Sequence, residues 1–382
     1  MYRLVNMLDE EHRLILKSVR EFTELHVRPR AREIDRGVYP REILRKLGEL
    51  GLLAPTIPPE FNGGGSDTLT QVLVVEELAR ASPGVATIME IQSSMIAENI
   101  YAMGNPRQRE ELLPKFASGE LICAFALSEP CCGSDAGAIE TRAVRVGGEW
   151  RISGVKMWIT SGLYADYYLV FARTGPKEAR HKAITAFLVK RGSCVEATPI
   201  EVMGVRGTGT AEVKFNECPA NDDDIVGKIN EGWAVVVHAL NVGRAAISGV
   251  AVGIARGAFE EALSWARGRR LFGKTLIEFQ NTQFELAEMY AAIETARTLT
   301  YYAAYLYDVK SPDFVAMAHV AKLQTARIAV DVARRAVQLE GGYGYSKESK
   351  AEMFYRDAKI LEIGEGTNEV MKYVLFKLLE KR

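Results

Sequence analysis

The sequence predicts a mostly helical α+β chain in three parts. These are an N-terminal helical domain over 1–120, a small antiparallel β-barrel or sandwich over 121–231, and a C-terminal four-helix bundle over 232–382. Three observations predict it. Apolar residues recur at helical spacing as far as Ala117; short alternating runs rich in β-branched and aromatic residues follow from Gly119; helical spacing returns at Gly232 and holds with only short breaks. At 382 residues the chain exceeds what one core usually serves.

In order, residues 9–35 carry Leu14, Val19 and Phe22 on one helical side, and Pro40 opens a second helix with Leu44, Leu47 and Leu50. The Pro- and Gly-rich stretch from Pro55 to Gly65 is an irregular loop. Thr68–Ala81 is helical, Ser82-Pro83 breaks it, another helix reaches Met103, and a short one from Asn105-Pro106 ends near Ala117. Strands are expected at Leu121–Leu127, Ile139–Val146, Glu149–Ile152, Val155–Ile159, Tyr167–Ala172, Ala183–Val189 and Glu212–Phe215, with Gly147-Gly148 as a hairpin turn. Cys218 to Asp224 reads as a solvated loop ending the domain. Helices then run from Gly232 to about Arg267, from beyond Lys274, from Ser311-Pro312 to Leu339, and after Asn368, which is the pattern of a bundle.

Composition excludes several classes. With 48 Lys+Arg against 49 Asp+Glu the net charge is −1, so neither nucleic acid nor an anionic membrane is an expected partner. No unbroken apolar run approaches the roughly 18 residues of a membrane span. The opening residues, Met1-Tyr2-Arg3-Leu4, lack the pattern of a signal or transit segment, so the cytoplasm is the expected compartment. Five cysteines without CxxC spacing and five scattered histidines predict no metal site. Cys131-Cys132 reads as two small residues in a turn, with a redox pair as the alternative.

Four stretches carry possible chemistry. Phe125-Ala126-Leu127-Ser128-Glu129-Pro130 leads into Gly133-Ser134-Asp135, a turn of hydroxyls and free amides able to grip a polar ring edge or a phosphate. Lys156-Met157-Trp158-Ile159-Thr160 places an indole and a hydroxyl on one strand face. Arg269-Arg270-Leu271-Phe272-Gly273-Lys274, and Gln338 with Gly341-Gly342, combine guanidiniums, an aromatic and bare backbone. In Gly364-Glu365-Gly366 one carboxylate stands at an elbow that glycines let turn sharply. Each stretch also has an ordinary reading, as loop, barrel rim, helix end or linker. No GxGxxG joins a strand to a helix, so no Rossmann site is expected.

In this order and spacing the motifs closely resemble the flavin-dependent acyl-CoA dehydrogenase family, along the whole chain. The signatures are Leu127-Ser128-Glu129-Pro130 with Gly133-Ser134-Asp135, Lys156 to Thr160, Arg269 to Lys274 with Gln280, and Tyr355-Arg356-Asp357-Ala358-Lys359 followed by Glu365-Gly366-Thr367. The resemblance implies a homotetramer and non-covalent FAD. Phe125, Leu127 and Ser128 would meet the isoalloxazine, Gly133 and Ser134 the pyrophosphate, Ser134 also the CoA chain, and Trp158 and Thr160 the ring's other side. Arg269, Phe272, Gln280, Gln338, Gly341 and Gly342 would reach a neighbouring subunit's flavin; Thr367 and Glu369 would touch the flavin; Asn241 and Arg244 would hold CoA.

The resemblance further implies that Glu365 takes the α-proton of an acyl-CoA thioester while the β-hydrogen leaves as hydride to FAD, giving a trans-2-enoyl-CoA. An electron-transfer flavoprotein would be the acceptor. An oxidase using O₂, and a non-catalytic member without FAD, are the alternatives. Two positions depart from common members. Gly243 stands where some members carry the base, which leaves Glu365 as the candidate. Gly364 stands where straight-chain enzymes commonly carry Tyr, which predicts a short branched or cyclic acyl group, with Gly366 shaping the turn beneath the thioester. Ile91-Gln92-Ser93-Ser94 and Glu140-Thr141-Arg142-Ala143 look like the glutaryl-CoA branch, but Ala86 replaces the Arg that pairs with a distal carboxylate, and Glu90 would repel one. Glu90 also reads as a solvated or intersubunit residue.

Overall fold

Helix α1 (Glu10–Phe22) starts at Asp9, whose side chain accepts from the His12 N–H. The computed structural model describes residues 8–380, so the expectations for Met1-Tyr2-Arg3-Leu4 lie outside it. The single helix expected over 9–35 is interrupted: after α1 come a wide π-helical turn, Thr23–Val27, a 3₁₀ turn containing Pro29, and α2 (Ala31–Asp35). Pro29 has no N–H to continue the ladder. Helix α3 (Arg41–Glu49) follows Pro40, and Asp67 caps α4 (Thr68–Ala79) by accepting from the Thr70 N–H at 2.8 Å. Every residue of α4 is buried, so it has no solvated face. Helix α5 (Pro83–Glu90) runs into a π-helical turn, Ile91–Ala97, then into α6 (Glu98–Met103); α7 (Leu113–Ala117) closes this segment.

The middle of the chain is one eight-stranded sheet: β1 (Cys123–Ala126), β2 (Arg142–Val146), β3 (Glu149–Ile159), β4 (Tyr167–Arg173), β5 (Ile184–Lys190), β6 (Val195–Pro199), β7 (Ala211–Ala220) and β8 (Ile225–Val226). Neighbours run β6-β7-β3-β2-β4-β5-β8, with β1 beside β4. Most pairs are antiparallel as expected, but β1 is parallel to β4 and β2 makes one parallel pair with it. Trp150 against Phe187 and Tyr168 against Phe215 fill the interior, at 5.6 Å between ring centroids in both pairs.

Two strands expected across 149–159 are one, bulged between Ile152 and Gly154 and between Lys156 and Ile159. The Cys218–Asp224 loop is corrected: Cys218 to Ala220 finish β7, with Cys218 fully buried and bonded to Cys194. Cys131 and Cys132 are likewise joined as a disulfide, so the turn-only reading of that pair gives way to a bonded one.

The C-terminal segment holds three long helices, α8 (Gly232–Gly268), α9 (Gln280–Asp308) and α10 (Phe314–Glu340), completed by α11 (Lys350–Lys359) and α12 (Asn368–Leu379). A small hairpin of β9 (Arg270–Leu271) and β10 (Lys274–Thr275) separates α8 from α9. Among the described residues α8 alone is long and apolar enough to cross a membrane; 78% of its apolar window is buried inside the fold. Helices α4 and α8 touch closely: a Cβ on Gly253 would stand 2.3 Å from the Glu76 carbonyl oxygen. One continuous core runs from Val19, Leu44 and Val75 of the first segment to Ile254, Met289, Val332 and Phe354 of the third. The two segments thus bury one shared apolar face.

Candidate functional site

The site forms where α11 stops. The Ile363 and Gly364 N–H groups both donate to the Ile360 carbonyl, at 2.9 and 2.7 Å, which closes the helix end. Glu365 then takes a left-handed backbone conformation, φ +54°, and Gly366 follows at +97°. Left-handed φ in a glutamate costs about 1–3 kcal/mol and persists only where the surroundings impose it. The Thr367 side chain restarts the helix by capping α12, accepting from the Val370 N–H at 3.2 Å. Lys322, reaching from α10, donates to the Gly366 carbonyl.

The glycines around Glu365 differ. A Cβ on Gly366 would meet the Met371 Cε at 2.8 Å, and its φ also demands glycine. A Cβ on Gly364 would meet only Ile360, from 3.4 Å outward, so neither backbone nor space requires glycine there. A Cβ on Gly243 would stand 2.8 Å from Glu365 Oε2, so the carboxyl occupies the room the missing side chain leaves. Glu365 is half-buried, but its Oε2 is shielded from water and has no hydrogen-bond donor.

On α8, one position beyond Gly243, Arg244 is buried and donates to Asn241 Oδ1 at 3.1 Å. Sequence reasoning missed a further group here. Lys322 is almost wholly buried; no local pattern marks it, since it sits at a helix–helix contact. Glu90, offered as a solvated or intersubunit residue, is corrected. It is fully buried at the junction of α5 with the π-helical turn, and a Cβ on Gly243 would also stand 3.2 Å from its Oε1.

Burial raises the Glu365 carboxyl, while Glu90, Lys322 and Arg244 pull it partway back. Burial and then the neighbouring Glu365 push Glu90 well above the carboxylate range. Desolvation lowers Arg244 to about 10 and Lys322 to about 8, each opposed by Glu365. The centre thus offers a shielded, proton-seeking carboxylate beside two cations, which suits abstraction of a weakly acidic proton.

The β-domain signatures lie on the sheet. Phe125 on β1 packs against Phe171 at 4.9 Å, and Leu127 is buried. Lys156, fully buried, donates to the Leu127 carbonyl at 3.0 Å and to Glu129 at 2.8 Å. Glu129 also accepts from the Glu140 and Thr141 N–H groups. The two β-domain signatures are therefore halves of one buried ion pair. The Met157 N–H donates to the Ser128 carbonyl at 2.9 Å and closes the junction. The expected alternation of Trp158 and Thr160 along a regular strand is corrected: Trp158 stands at a bulge with φ +64°, and Thr160 lies in the turn beyond Ile159. Gly133 and Ser134 are exposed beside the Cys131–Cys132 bond.

Arg269, Phe272, Gln280, Gln338, Gly341 and Gly342 gather elsewhere, around the far end of α8. Arg269 lies over Tyr343 at 5.6 Å and Trp265 at 5.9 Å. From Arg244 to Arg269 along α8 is about 37 Å, at ~1.5 Å per residue. Thr367 stays in the central turn, whereas Glu369 is exposed on α12 and paired with Lys372.

These surfaces suit a planar, phosphate-bearing cofactor. The Trp158 indole is 60% exposed and the Phe272 ring 90%, which leaves open apolar planes. A Cβ on Gly133, Gly341 or Gly342 would meet nothing within 4 Å, so backbone is free to approach a ligand.

Three family descriptions match the chain: acyl-CoA dehydrogenase N-terminal domain over residues 9–120, middle domain over 124–218 and C-terminal domain over 230–379. The short-chain-specific acyl-CoA dehydrogenase of Clostridium acetobutylicum is 38% identical over 371 residues, 96% of this chain and 97% of that protein. Butyryl-CoA dehydrogenase from Megasphaera elsdenii superimposes with a TM-score of 0.94 at 34% identity, covering 98% and 99% of the two chains. A glutaryl-CoA dehydrogenase from Mycobacterium smegmatis, in complex with FADH2, gives 0.92 at 27% identity, covering 99% and 96%.

Proposed function

The chain belongs to the acyl-CoA dehydrogenase family, and from that premise we propose that Glu365 abstracts the α-proton of a short acyl-CoA whose branched or cyclic acyl group fills the space beside Gly364. The protein is an FAD-dependent oxidoreductase that acts on acyl-CoA. FAD, when bound, supplies the acceptor for the β-hydride. The chain's residues do the rest. Glu365 holds Oε2 out of water against Gly243, where no side chain intervenes, and this observation carries the reading. A thioester α-proton is weakly acidic and needs a base fixed in place and desolvated. Asn241 and Arg244 are the residues for CoA. Phe125, Leu127, Ser128, Gly133, Ser134, Trp158 and Thr160 are those for the flavin's ring half, with Thr367 and Glu369 behind the catalytic turn.

A short acyl chain is supported by the specificities of the relatives. The branched or cyclic preference rests on Gly364, which conformation does not explain. A dicarboxylate is disfavoured, because Ala86 offers no cation to pair with a distal carboxylate. The exposed patch of Arg269, Phe272 and Gln338 supports a homotetramer in which it meets a neighbour's flavin, and an electron-transfer flavoprotein is the proposed acceptor.

A panel of acyl-CoA substrates with an artificial electron acceptor tests the substrate assignment. In Gly364→Tyr, kcat/KM on branched acyl-CoA is expected to fall about tenfold more than on butyryl-CoA, the scale of one misfitting group. Equal losses on both would contradict the preference.

A further inference from the structure

We propose that Glu90 is a positioning residue for Glu365: it stands un-ionised at neutral pH and donates its carboxyl proton to the Glu365 carboxylate, fixing one oxygen of the base. This rests on Glu365 being the base.

The geometry carries it. The two carboxyls come from the first and third helical segments and converge on the side-chain-free face of Gly243. A Cβ placed there would stand 2.8 Å from Glu365 Oε2 and 3.2 Å from Glu90 Oε1. Glu90 is fully buried, and no lysine or arginine bonds it among the described residues. With both groups ionised, both Glu90 oxygens and Glu365 Oε2 are buried without a donor, an arrangement that burial strongly disfavours. One proton between them removes this and forms a carboxyl–carboxylate hydrogen bond.

The surroundings decide where the proton sits. Arg244 on α8 and Lys322 on α10 face Glu365 and favour its ionised form. Glu362 and Glu369 face Lys322 from the catalytic turn and α12. His319 on α10, kept neutral by burial and by Arg244, adds no charge. Glu90 meets only Glu365 and, one turn on, Ser94. Ser94 and Ser93 both accept from Gln71 Nε2 of α4, at 2.7 and 2.9 Å, and this buried chain holds the π-helical turn that carries Glu90. Such wide turns concentrate at functional sites. The proton therefore stays on Glu90 and the charge on Glu365.

Glu90→Gln and Glu90→Leu holoenzymes test this through the pH dependence of kcat/KM, whose acid limb reports the base of the free enzyme. Glu90→Gln keeps a donor, so its acid limb should stay at the wild-type position. Glu90→Leu removes the donor, so its limb should move up by about one pH unit or more with FAD content unchanged. A downward shift in Glu90→Gln would mean that Glu90 had been charged, and no shift in either variant would leave it a packing residue; both overturn the proposal. If Glu90→Leu fails to fold, infrared spectra decide. The difference spectrum between wild type and Glu90→Gln at neutral pH should contain one un-ionised carboxyl band, and a difference spectrum without it would overturn the proposal. Turnover in Glu365→Gln would instead reject the base assignment itself.

Discussion

Glu76 and Glu77 on α4, and Glu90 and Glu365 beside α8, are two pairs of shielded carboxyls on neighbouring faces of one core. They differ in what surrounds them. Glu76 accepts from Arg256 at 2.7 Å, from Arg297 at 3.2 Å and from the Tyr301 hydroxyl at 2.9 Å. Glu77 accepts from Arg80 at 2.8 Å and Arg256 at 3.0 Å. Burial pushes both upward, but the guanidiniums outweigh it and both end below the usual carboxylate range. The second pair has cations at a distance and no guanidinium bonded to it, so burial wins and both rise. Saturation by arginine makes a carboxylate inert and structural; leaving it short of donors makes it a base.

Arg256 bonds both acids of the arginine-bound pair. Arg256→Met strips both acids of α4 of a shared donor and should lower unfolding free energy by about 3 kcal/mol in denaturant titration. A loss below about 1 kcal/mol would show that the network does not lock α4 to α8. At the other pair, Gly243→Ala places a methyl 2.8 Å from Glu365 Oε2 and should displace the carboxyl. We expect kcat to fall about 10²-fold, the scale of a 1 Å misplacement, with FAD retained. Activity within twofold of wild type would mean that the carboxyl does not need that space.

The pairs should also have opposite pH signatures. Glu76 has a lowered carboxyl, so its stabilisation is present above its unfolded pKa and lost as pH falls through the folded value. Glu90 is raised, so its contribution is present below the unfolded pKa and lost as pH rises through the folded one. Glu76→Gln should therefore flatten the stability–pH curve below the ordinary carboxylate pKa, and Glu90→Gln above it. The same slope change in both would contradict the contrast.

This contrast also marks what the sequence could tell. Glu365 was legible because a lone acid between two glycines is a local pattern, as were the helices with one apolar stripe. Lys156 and Glu129 were found as parts of motifs, while their mutual ion pair waited for the fold. Glu76 and Glu77 carry no local mark of burial in sequence, yet all of α4 is buried, because α1, α5, α8 and α9 pack around it. Glu90 meets Glu365 across 275 positions of sequence, and Cys194 meets Cys218 through strand pairing. Such contacts depend on packing and leave no periodicity to read. The short strand β6 was missed for a similar reason: it is an exposed edge with little apolar alternation.

Glu365→Gln tests the central claim most directly. Purified with its flavin and assayed on a short acyl-CoA with an artificial acceptor, the variant should retain FAD and bind substrate, while turnover drops by on the order of 10³–10⁴-fold. Activity within tenfold of wild type at unchanged flavin content would contradict the assignment of Glu365 as the base.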